Sequence, residues 1–231
     1  MSKNLDEFLY KLCLQPSCST VFNPWRDEDP EWDIPGACQV RREQLTAYFG
    51  QRIGVARLIL LAEGLSYQGG KFTGIAMTSE RILLGKKSDI SPDIVFKGLH
   101  RQTSIKEGGF NEPTASIVWG TIVDEGVDPY SVVLWNAFPW HPHAAGLSLT
   151  NRAPTLNELN QVKPLLMDFR MLFPEAGVIA VGQKAQILLA KMGIECSVVR
   201  HPARGGASQF RTQMVALLSQ DALRCKKSCE V

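Results

Sequence analysis

The sequence contains no long apolar run. None of its hydrophobic stretches approaches the roughly 18 to 20 residues that are needed to cross a bilayer. The first ten residues, MSKNLDEFLY, lack the apolar core of a secretory signal. We therefore expect a cytoplasmic protein without membrane contacts.

Cysteine is present, but not in the spacing of a metal site. There is no CxxC pair, and no cysteine and histidine have the sequence spacing of a zinc site. In a reducing compartment most of these residues should be free thiols. A metal bound by the first three is the alternative that the sequence leaves open, and we predict no metal. The six cysteines are Cys13, Cys18, Cys38, Cys196, Cys225 and Cys229.

Neither sign of charge predominates. The 25 Lys and Arg residues nearly balance the 23 Asp and Glu residues, and the formal net charge is +2. Because this charge is small, only local basic loops can indicate a nucleic-acid partner. Hydrophobic residues make up 45% of the 231 residues, which is enough to bury the core of one large domain.

Apolar runs and helical patterns alternate along the chain. Short continuous apolar runs at 57–64, 131–138, 177–182 and 196–202 predict strands that are covered on both faces. Helical patterns lie at 3–14, 38–50, 155–173, 183–192 and 206–223, and a further one, TASIVWGTIVDE, precedes the second strand. Residues 15–37 should be irregular and 224–231 a frayed tail. This alternation predicts an α/β fold with a parallel sheet between two layers of helices.

Polar clusters follow three of the four predicted strands. They read AEGLSYQGGKFTG, NAFPWHPH and HPARGG. In parallel sheets ligands bind beyond the carboxyl ends of the strands, so these clusters predict one shared site. The glycine-rich cluster fits neither GxGxxG nor GxxxxGK[ST], which argues against a dinucleotide or P-loop site.

Four ordered motifs resemble those of the uracil-DNA glycosylase superfamily. They are AEGLSYQGGKFTGI, LWNAFPWHPH, NRAPT and RHPARGG, and their order and strand placement match. The resemblance implies a single domain over 1–231, with a four-stranded parallel sheet sandwiched by helices. It also implies hydrolysis of the N-glycosidic bond of uracil flipped out of DNA, which leaves an abasic site in base-excision repair. We expect a monomer without a cofactor, of bacterial type, that acts on nucleoid DNA.

The resemblance also implies the residues that hold the base. Phe72 stands where the family places its stacking aromatic, on what we expect to be a surface loop. Asn136 can accept from uracil N3–H and donate to O4, which distinguishes uracil from cytosine. Gly64, Ser66 and Tyr67 should line the same pocket, and Ser66 replaces a bulky tyrosine of some relatives.

The catalytic residues are predicted to be His201, Glu63 and Asn136. His201 should donate to O2 of the departing uracil anion, as an oxyanion-hole group does. Familiar members carry an aspartate where this chain has Gly64, whereas one branch carries a glutamate one place earlier, as Glu63 does here. Glu63 either positions water and stabilises the cationic sugar, or only anchors the pocket by hydrogen bonds.

The loop after the last strand is predicted to contact DNA. Arg204 replaces an apolar wedge of relatives and either enters the minor groove or contacts only the backbone. Gly205 and Gly206 should let the backbone approach the phosphates. His141 and His143 resemble a zinc pair, but Pro142 between them gives poor geometry, so we predict a role in loop structure or DNA contact.

The chain departs from the glutamate-bearing branch in ways that leave alternatives open. That branch usually holds a four-cysteine iron–sulfur cluster, but NAFPWHPH contains no cysteine, so we predict no cluster. Activity on other deaminated bases, such as hypoxanthine or xanthine, therefore stays open. Two further alternatives are a non-catalytic relative that binds uracil or abasic DNA, and an α/β enzyme that acts on free nucleotides or nucleosides.

Overall fold

The structure, a computed structural model, describes residues 3–227, with side chains from residue 4 to residue 219. The strands are β1 (Val21–Phe22), β2 (Leu58–Gly64), β3 (Val132–Phe138), β4 (His141–Pro142), β5 (Gly177–Val181) and β6 (Ser197–Val199). The helices are α1 (Lys3–Leu14), α2 (Ala37–Gly50), α3 (Gly70–Thr73), α4 (Glu80–Leu83), α5 (Pro113–Asp124), α6 (Leu156–Gln161), α7 (Lys163–Leu172), α8 (Gln183–Lys191) and α9 (Ala207–Lys227).

Four parallel strands form the central sheet, in the order β3-β2-β5-β6. Helices α1, α2 and α7 pack together around Trp135 of β3, while α8 packs on β2, β3 and β5, and α9 contacts β6 and α5. Strands covered on both faces must be apolar along their whole length, which is why four short runs predicted them. The predicted α/β fold with a four-stranded parallel sheet flanked by helices is confirmed.

The last strand is shorter and more exposed than the sequence predicted. Strand β6 contains three residues, lies at the edge of the sheet, and leaves Val198 42% exposed. An edge strand has one neighbour only, so an apolar β-branched residue there can face solvent. The expectation that both Val198 and Val199 are buried is wrong for Val198.

Two features near the site differ from the predicted elements. The predicted helix 155–173 is interrupted at Val162, because Pro164 lies in the first turn of α7 and has no N–H to continue the preceding helix. The antiparallel pair β1–β4, which the sequence did not predict, fixes residues 141–142 against the N-terminal segment. Helix α9 continues to Lys227, so the predicted tail begins later, and residues 228–231 lie outside the described range.

A buried arginine anchors the start of β3. Arg52 donates to the backbone carbonyl of Val132 and to four other carbonyls, from Tyr48, Ile94, Val95 and Pro129. Its guanidinium also lies 3.9 Å from the centre of the Tyr48 ring. These contacts hold β3, and therefore the residues at its carboxyl end, in a fixed position.

None of the helices in the described range combines the length and the apolar character of a membrane span.

Candidate active site

A cleft of about 730 Å³ opens at the carboxyl ends of the sheet strands, the place where open parallel sheets bind ligands. Its wall comprises the end of β2 and the following loop, Asn136 of β3, the start of α8, and the loop after β6. Two further segments complete it, the start of α5 and residues 151–154. Of the predicted site residues, the cleft brings together Glu63, Gly64, Ser66, Asn136, His201 and Arg204.

Asn136 presents a buried amide to this cleft. The side chain is 3% exposed, and its Oδ1 has no hydrogen-bond partner among the described residues. A buried amide oxygen without a partner costs free energy, so such an atom usually faces a ligand or an ordered water. The position at the end of β3 therefore supplies an acceptor for a donor on a bound molecule.

His201 also lines the cleft and lies two residues after the end of β6. Its Nδ1 accepts a hydrogen bond of 3.1 Å from the backbone N–H of Ala203. In the neutral ring the proton is therefore on Nε2, which is available as a donor. Burial lowers the pKa of His201 below the ordinary 6.5, and the charges of Arg200 and Arg204 act in the same direction, while Glu63 opposes them.

Glu63 is held by the first turn of α8. Its Oε1 accepts from the backbone N–H of Lys184 at 3.1 Å, and the positive end of a helix dipole favours a carboxylate. Gly182 leaves the space for it: a Cβ at that residue would lie 2.9 Å from Glu63 Oε1 and 3.2 Å from His201 Cβ. The glycine thus lets the carboxylate and the imidazole lie close to the same strand end.

The assignment of Phe72 as the stacking aromatic is wrong in this structure. Phe72 is 0% exposed, does not line the cleft, and stacks on Phe110 with the ring centres 4.4 Å apart. The expected surface loop is instead the buried short helix α3, because Lys71 forms a buried ion pair with Asp29 at 2.7 Å. The apolar residue that lines the cleft from this segment is Met77.

Met77 has an unusual backbone for its residue type. Its φ is 47°, in the left-handed region, which costs a non-glycine residue roughly 1–2 kcal/mol. The surrounding contacts must hold this conformation, and it places a polarizable thioether side chain in the cleft wall. No sequence motif indicated this residue.

Ser66 and Tyr67 were both predicted to contact the base, but of these two only Ser66 lines the cleft. Ser66 lines the cleft, and its hydroxyl accepts from the backbone N–H of Gln68 and from the Asn151 amide. Tyr67 does not line the cleft, since its ring packs edge-on against Phe110 and His141. Contact of Tyr67 with the base therefore stays a prediction, and in this structure its ring packs beside the cleft.

The side chains of His141 and His143 are buried and contact backbone carbonyl oxygens. Both are buried, their rings stack at 5.4 Å, and His141 lies between the carbonyl oxygens of Leu65 and Ser148. Burial lowers the pKa of His141 to about 4, because loss of water outweighs these two carbonyls. Of the two predicted roles, these contacts favour the role in loop structure, because neither ring is exposed to a partner in this structure.

The loop after His201 is exposed at Arg204 and Gly205 and buried at Gly206. Arg204 and Gly205 are exposed and both adopt positive φ, 54° and 77°. Gly206 is buried, and a Cβ there would lie 2.1 Å from the carbonyl oxygen of His201. A side chain at this position is therefore excluded by the chain itself, and the predicted approach of Gly206 to DNA phosphates stays a prediction.

The segment 151–155 joins the cleft to α6. Thr155 is the N-cap of α6 and forms a capping box with Glu158. Arg152 makes two hydrogen bonds to the Glu158 carboxylate, 2.8 and 2.6 Å, and also donates to the carbonyls of His143 and Thr20. This arginine binds four segments together below the cleft wall.

Sequence reasoning missed Glu112, the residue that precedes α5. Its carboxyl lines the cleft, is 7% exposed, and carries an Oε2 without a hydrogen-bond partner among the described residues. Burial raises its pKa to about 7. Glutamate before proline is a common surface pattern at the start of a helix, so the sequence around Glu112 gives no signal that this residue is buried.

The described side chains do not form an iron–sulfur site or another metal site. Over the part of the chain with described side chains, no three His, Cys, Asp or Glu side chains come together as ligands. The cysteines described there, Cys13, Cys18, Cys38 and Cys196, are free thiols.

Comparison with known proteins identifies the fold. No family profile and no curated protein sequence matches the chain. The crystal structure of SMUG2 from Pedobacter heparinus, a member of the uracil-DNA glycosylase superfamily, superposes with a TM-score of 0.63. The match covers 95% of this chain and 98% of that chain, at 12% sequence identity. The chain has the uracil-DNA glycosylase fold.

Within the uracil-DNA glycosylase fold, the cleft lies where the sequence motifs predicted it. The motifs that begin at Ala62, Leu134 and Arg200 each include or follow the carboxyl end of a strand, and these strand ends lie at the same edge of the sheet. The family resemblance drawn from the four motifs is thus confirmed at the level of fold.

Proposed function

We propose that the protein is a monofunctional DNA glycosylase that removes uracil from DNA and leaves an abasic site. The observation that carries this proposal is one cleft that holds Asn136, with an unpartnered buried Oδ1, together with His201, whose Nε2 is available as a donor. A base flipped out of the stack can be read on its polar edge by such groups. The shared fold supports the same role.

Base recognition is assigned to Asn136 and Met77. Asn136 Oδ1 accepts from N3–H of uracil, and the amide nitrogen donates to O4, which cytosine cannot match. Met77 replaces the predicted Phe72 as the apolar side chain against which the base lies, because sulfur makes favourable contacts with aromatic rings.

Bond cleavage is assigned to His201 and Glu63. Water oxygen bonds to C1′ while the C1′–N1 bond breaks, and the bonding electrons leave with uracil. His201 donates to O2, where negative charge develops, and a donor of this kind contributes about 2.7–4 kcal/mol to the transition state. Glu63, placed beside His201 by α8, stabilises the cationic sugar and takes up the proton of the attacking water.

Contact with DNA is assigned to the exposed arginines beside the cleft. The side chains of Arg200 and Arg204 are exposed and form no ion pair within the described residues. Such cations can neutralise phosphates and release counterions, so DNA affinity should fall steeply as salt rises. An enzyme for free nucleosides would not show this dependence on duplex DNA.

A second candidate activity is the removal of larger deaminated bases. Gly64, Ser66 and Ala153 present little or no side chain to the cleft, and this favours space for hypoxanthine or xanthine. Oligonucleotides that carry these bases, assayed beside uracil under the same conditions, test this activity.

The proposed function is tested by alkaline strand cleavage of an oligonucleotide that carries one uracil. Wild-type protein should generate alkali-labile sites, and Asn136→Ala and His201→Ala should each slow this about 100-fold or more. Asn157→Ala, which changes an exposed asparagine on α6, is the matched control and should keep the wild-type rate. Wild-type rates in both cleft variants would refute the site assignment. Tight binding of uracil-containing DNA without release would indicate a non-catalytic binding protein.

A further inference from the structure

Glu112 is placed as a helix cap but does not act as one. It is the N-cap residue of α5, a position where an acidic side chain usually accepts from the first-turn N–H groups. Here the side chain makes no capping hydrogen bond. It lies instead over Gly69, where a Cβ would be 2.0 Å from Glu112 Oε2. The absence of a side chain at Gly69 therefore makes room for the carboxyl group in the cleft wall.

No cation compensates this buried carboxyl among the described residues. The Ser66 hydroxyl is the polar side chain that acts on it. The other ionisable groups of the cleft wall form no ion pair or hydrogen bond with it: Glu63, Arg152, Lys184, Arg200, His201 and Arg204. An isolated buried carboxylate is costly, so burial raises the pKa of Glu112 to about 7 and favours the protonated acid near neutral pH.

Glu112 shares its cleft with another unpartnered buried polar atom, Asn136 Oδ1. Of the six such side-chain atoms among the described residues, these two belong to residues that line the cleft, where a bound polar molecule could complete their hydrogen bonds. A protonated carboxyl group differs from a carboxylate because it has one O–H donor. It can therefore complement a carbonyl oxygen, which a carboxylate would repel.

We propose that Glu112, in its protonated form, contacts the base bound in this cleft and donates a hydrogen bond to one of its carbonyl oxygens. This inference rests on the proposed glycosylase function. It makes Glu112 a specificity residue for bases whose amino group has been replaced by a carbonyl group. Cytosine and adenine carry an amino group, which is a donor, at the corresponding edge.

The proposal predicts a distinct pH dependence of base release. Above about pH 7 the carboxyl ionises and loses its donor, so the single-turnover rate of uracil release should fall about tenfold per pH unit. His201 does not produce this effect, because its pKa lies below 6.5. In Glu112→Gln the amide keeps a donor that does not ionise, so the rate should stay within about tenfold of wild type near pH 7 and not fall above it.

Glu112→Ala removes the donor at every pH and should slow release about tenfold or more throughout. Glu125→Gln, at the other end of α5 and exposed, is the matched control and should keep the wild-type profile. Thermal melts establish that each variant is folded. A falling rate in Glu112→Gln that matches wild type, or a wild-type rate in Glu112→Ala, would overturn the proposal.

A binding measurement separates this proposal from the proposed function. Carbon-13 NMR of glutamate-labelled protein, with a duplex that carries a non-hydrolysable 2′-fluorinated deoxyuridine, follows the Glu112 carboxyl directly. Binding should raise its titration midpoint, and the same duplex with a 2′-fluorinated deoxycytidine in its place should not, because cytosine presents an amino donor at that edge. If the wild type releases uracil and Asn136→Ala does not, but this midpoint is unchanged, only the Glu112 proposal fails. If no uracil is released at any pH, the proposed function fails, and the midpoint shift still decides the role of Glu112.

Discussion

Replacement of Glu112 by glutamine should stabilise the protein at neutral and alkaline pH. Burial raises the pKa of this carboxyl from the ordinary 4.5 to about 7. Between these two values the unfolded chain loses the proton while the folded protein keeps it, so the free energy of unfolding falls as pH rises. The difference corresponds to about 3 kcal/mol, because a tenfold change in an equilibrium is about 1.4 kcal/mol. The cost remains in full above about pH 7.

Urea unfolding at about pH 4 and about pH 8 measures this contribution. The amide of Glu112→Gln does not ionise, so wild type and variant should differ little at the lower pH. At the higher pH the variant should be more stable by up to about 3 kcal/mol. Glu125→Gln, which removes an exposed carboxylate, should show no such gain. An equal pH dependence in wild type and Glu112→Gln would refute the argument that this carboxyl is buried and uncompensated.

Three further predictions concern other residues of the site. Met77→Ala should slow uracil release about tenfold under single-turnover conditions. Phe72→Ala should cost about 3–5 kcal/mol of stability in urea unfolding and leave the folded fraction active. Slow release by folded Phe72→Ala, with a wild-type rate in Met77→Ala, would restore Phe72 as the stacking residue. Burial lowers the pKa of His141 to about 4, so the free energy of unfolding should fall by about 3 kcal/mol as pH falls from 6.5 towards 4, because the unfolded chain binds a proton that the folded protein does not. His141→Gln should remove this dependence in urea titrations. An equal dependence in wild type and variant would show that the carbonyl oxygens of Leu65 and Ser148, which face both ring nitrogens, keep the folded ring protonated. Arg204→Ala should slow release from duplex more than from single-stranded DNA, and equal effects on both would exclude a wedge role.

The sheet was predictable because burial on both faces demands continuous apolar sequence. Residues 57–64 and 131–138 gave strands within one residue of their observed bounds, β2 and β3. The start of α6 is another local feature, because the capping box at Thr155 depends only on residues three apart. Parallel strands place their carboxyl ends at one edge of the sheet, and the polar residues that lie at these ends, Asn136 and His201 among them, line one cleft.

Burial of individual polar and aromatic residues was not predictable from their neighbours in sequence. Lys71 suggested a surface loop, but its ion pair with Asp29 joins residues 42 positions apart. This pairing buries α3 and lets Phe110, rather than a base, cover Phe72. A partner distant in sequence leaves no local signal, and the same reason hid the burial of His141 and Glu112.

The arrangement of the cleft combines two carboxyl groups with different surroundings. Glu63 accepts a backbone hydrogen bond at the start of a helix and lies beside His201, whereas Glu112 is buried without a cation in the described structure. Enzymes that need an ionised and a neutral carboxyl group in one site create them by such differences in environment. The proposals assign Glu63 to the cationic sugar and Glu112 to the base on the ground of this difference.

Direct detection of free uracil tests the central claim most simply. Purified protein is incubated with a duplex that carries one uracil, and the small molecules are separated and identified by mass spectrometry. The account predicts free uracil in an amount equal to the abasic strand formed, and none with Asn136→Ala. Uracil that remains in the strand with wild-type protein, or equal release by Asn136→Ala, would contradict it.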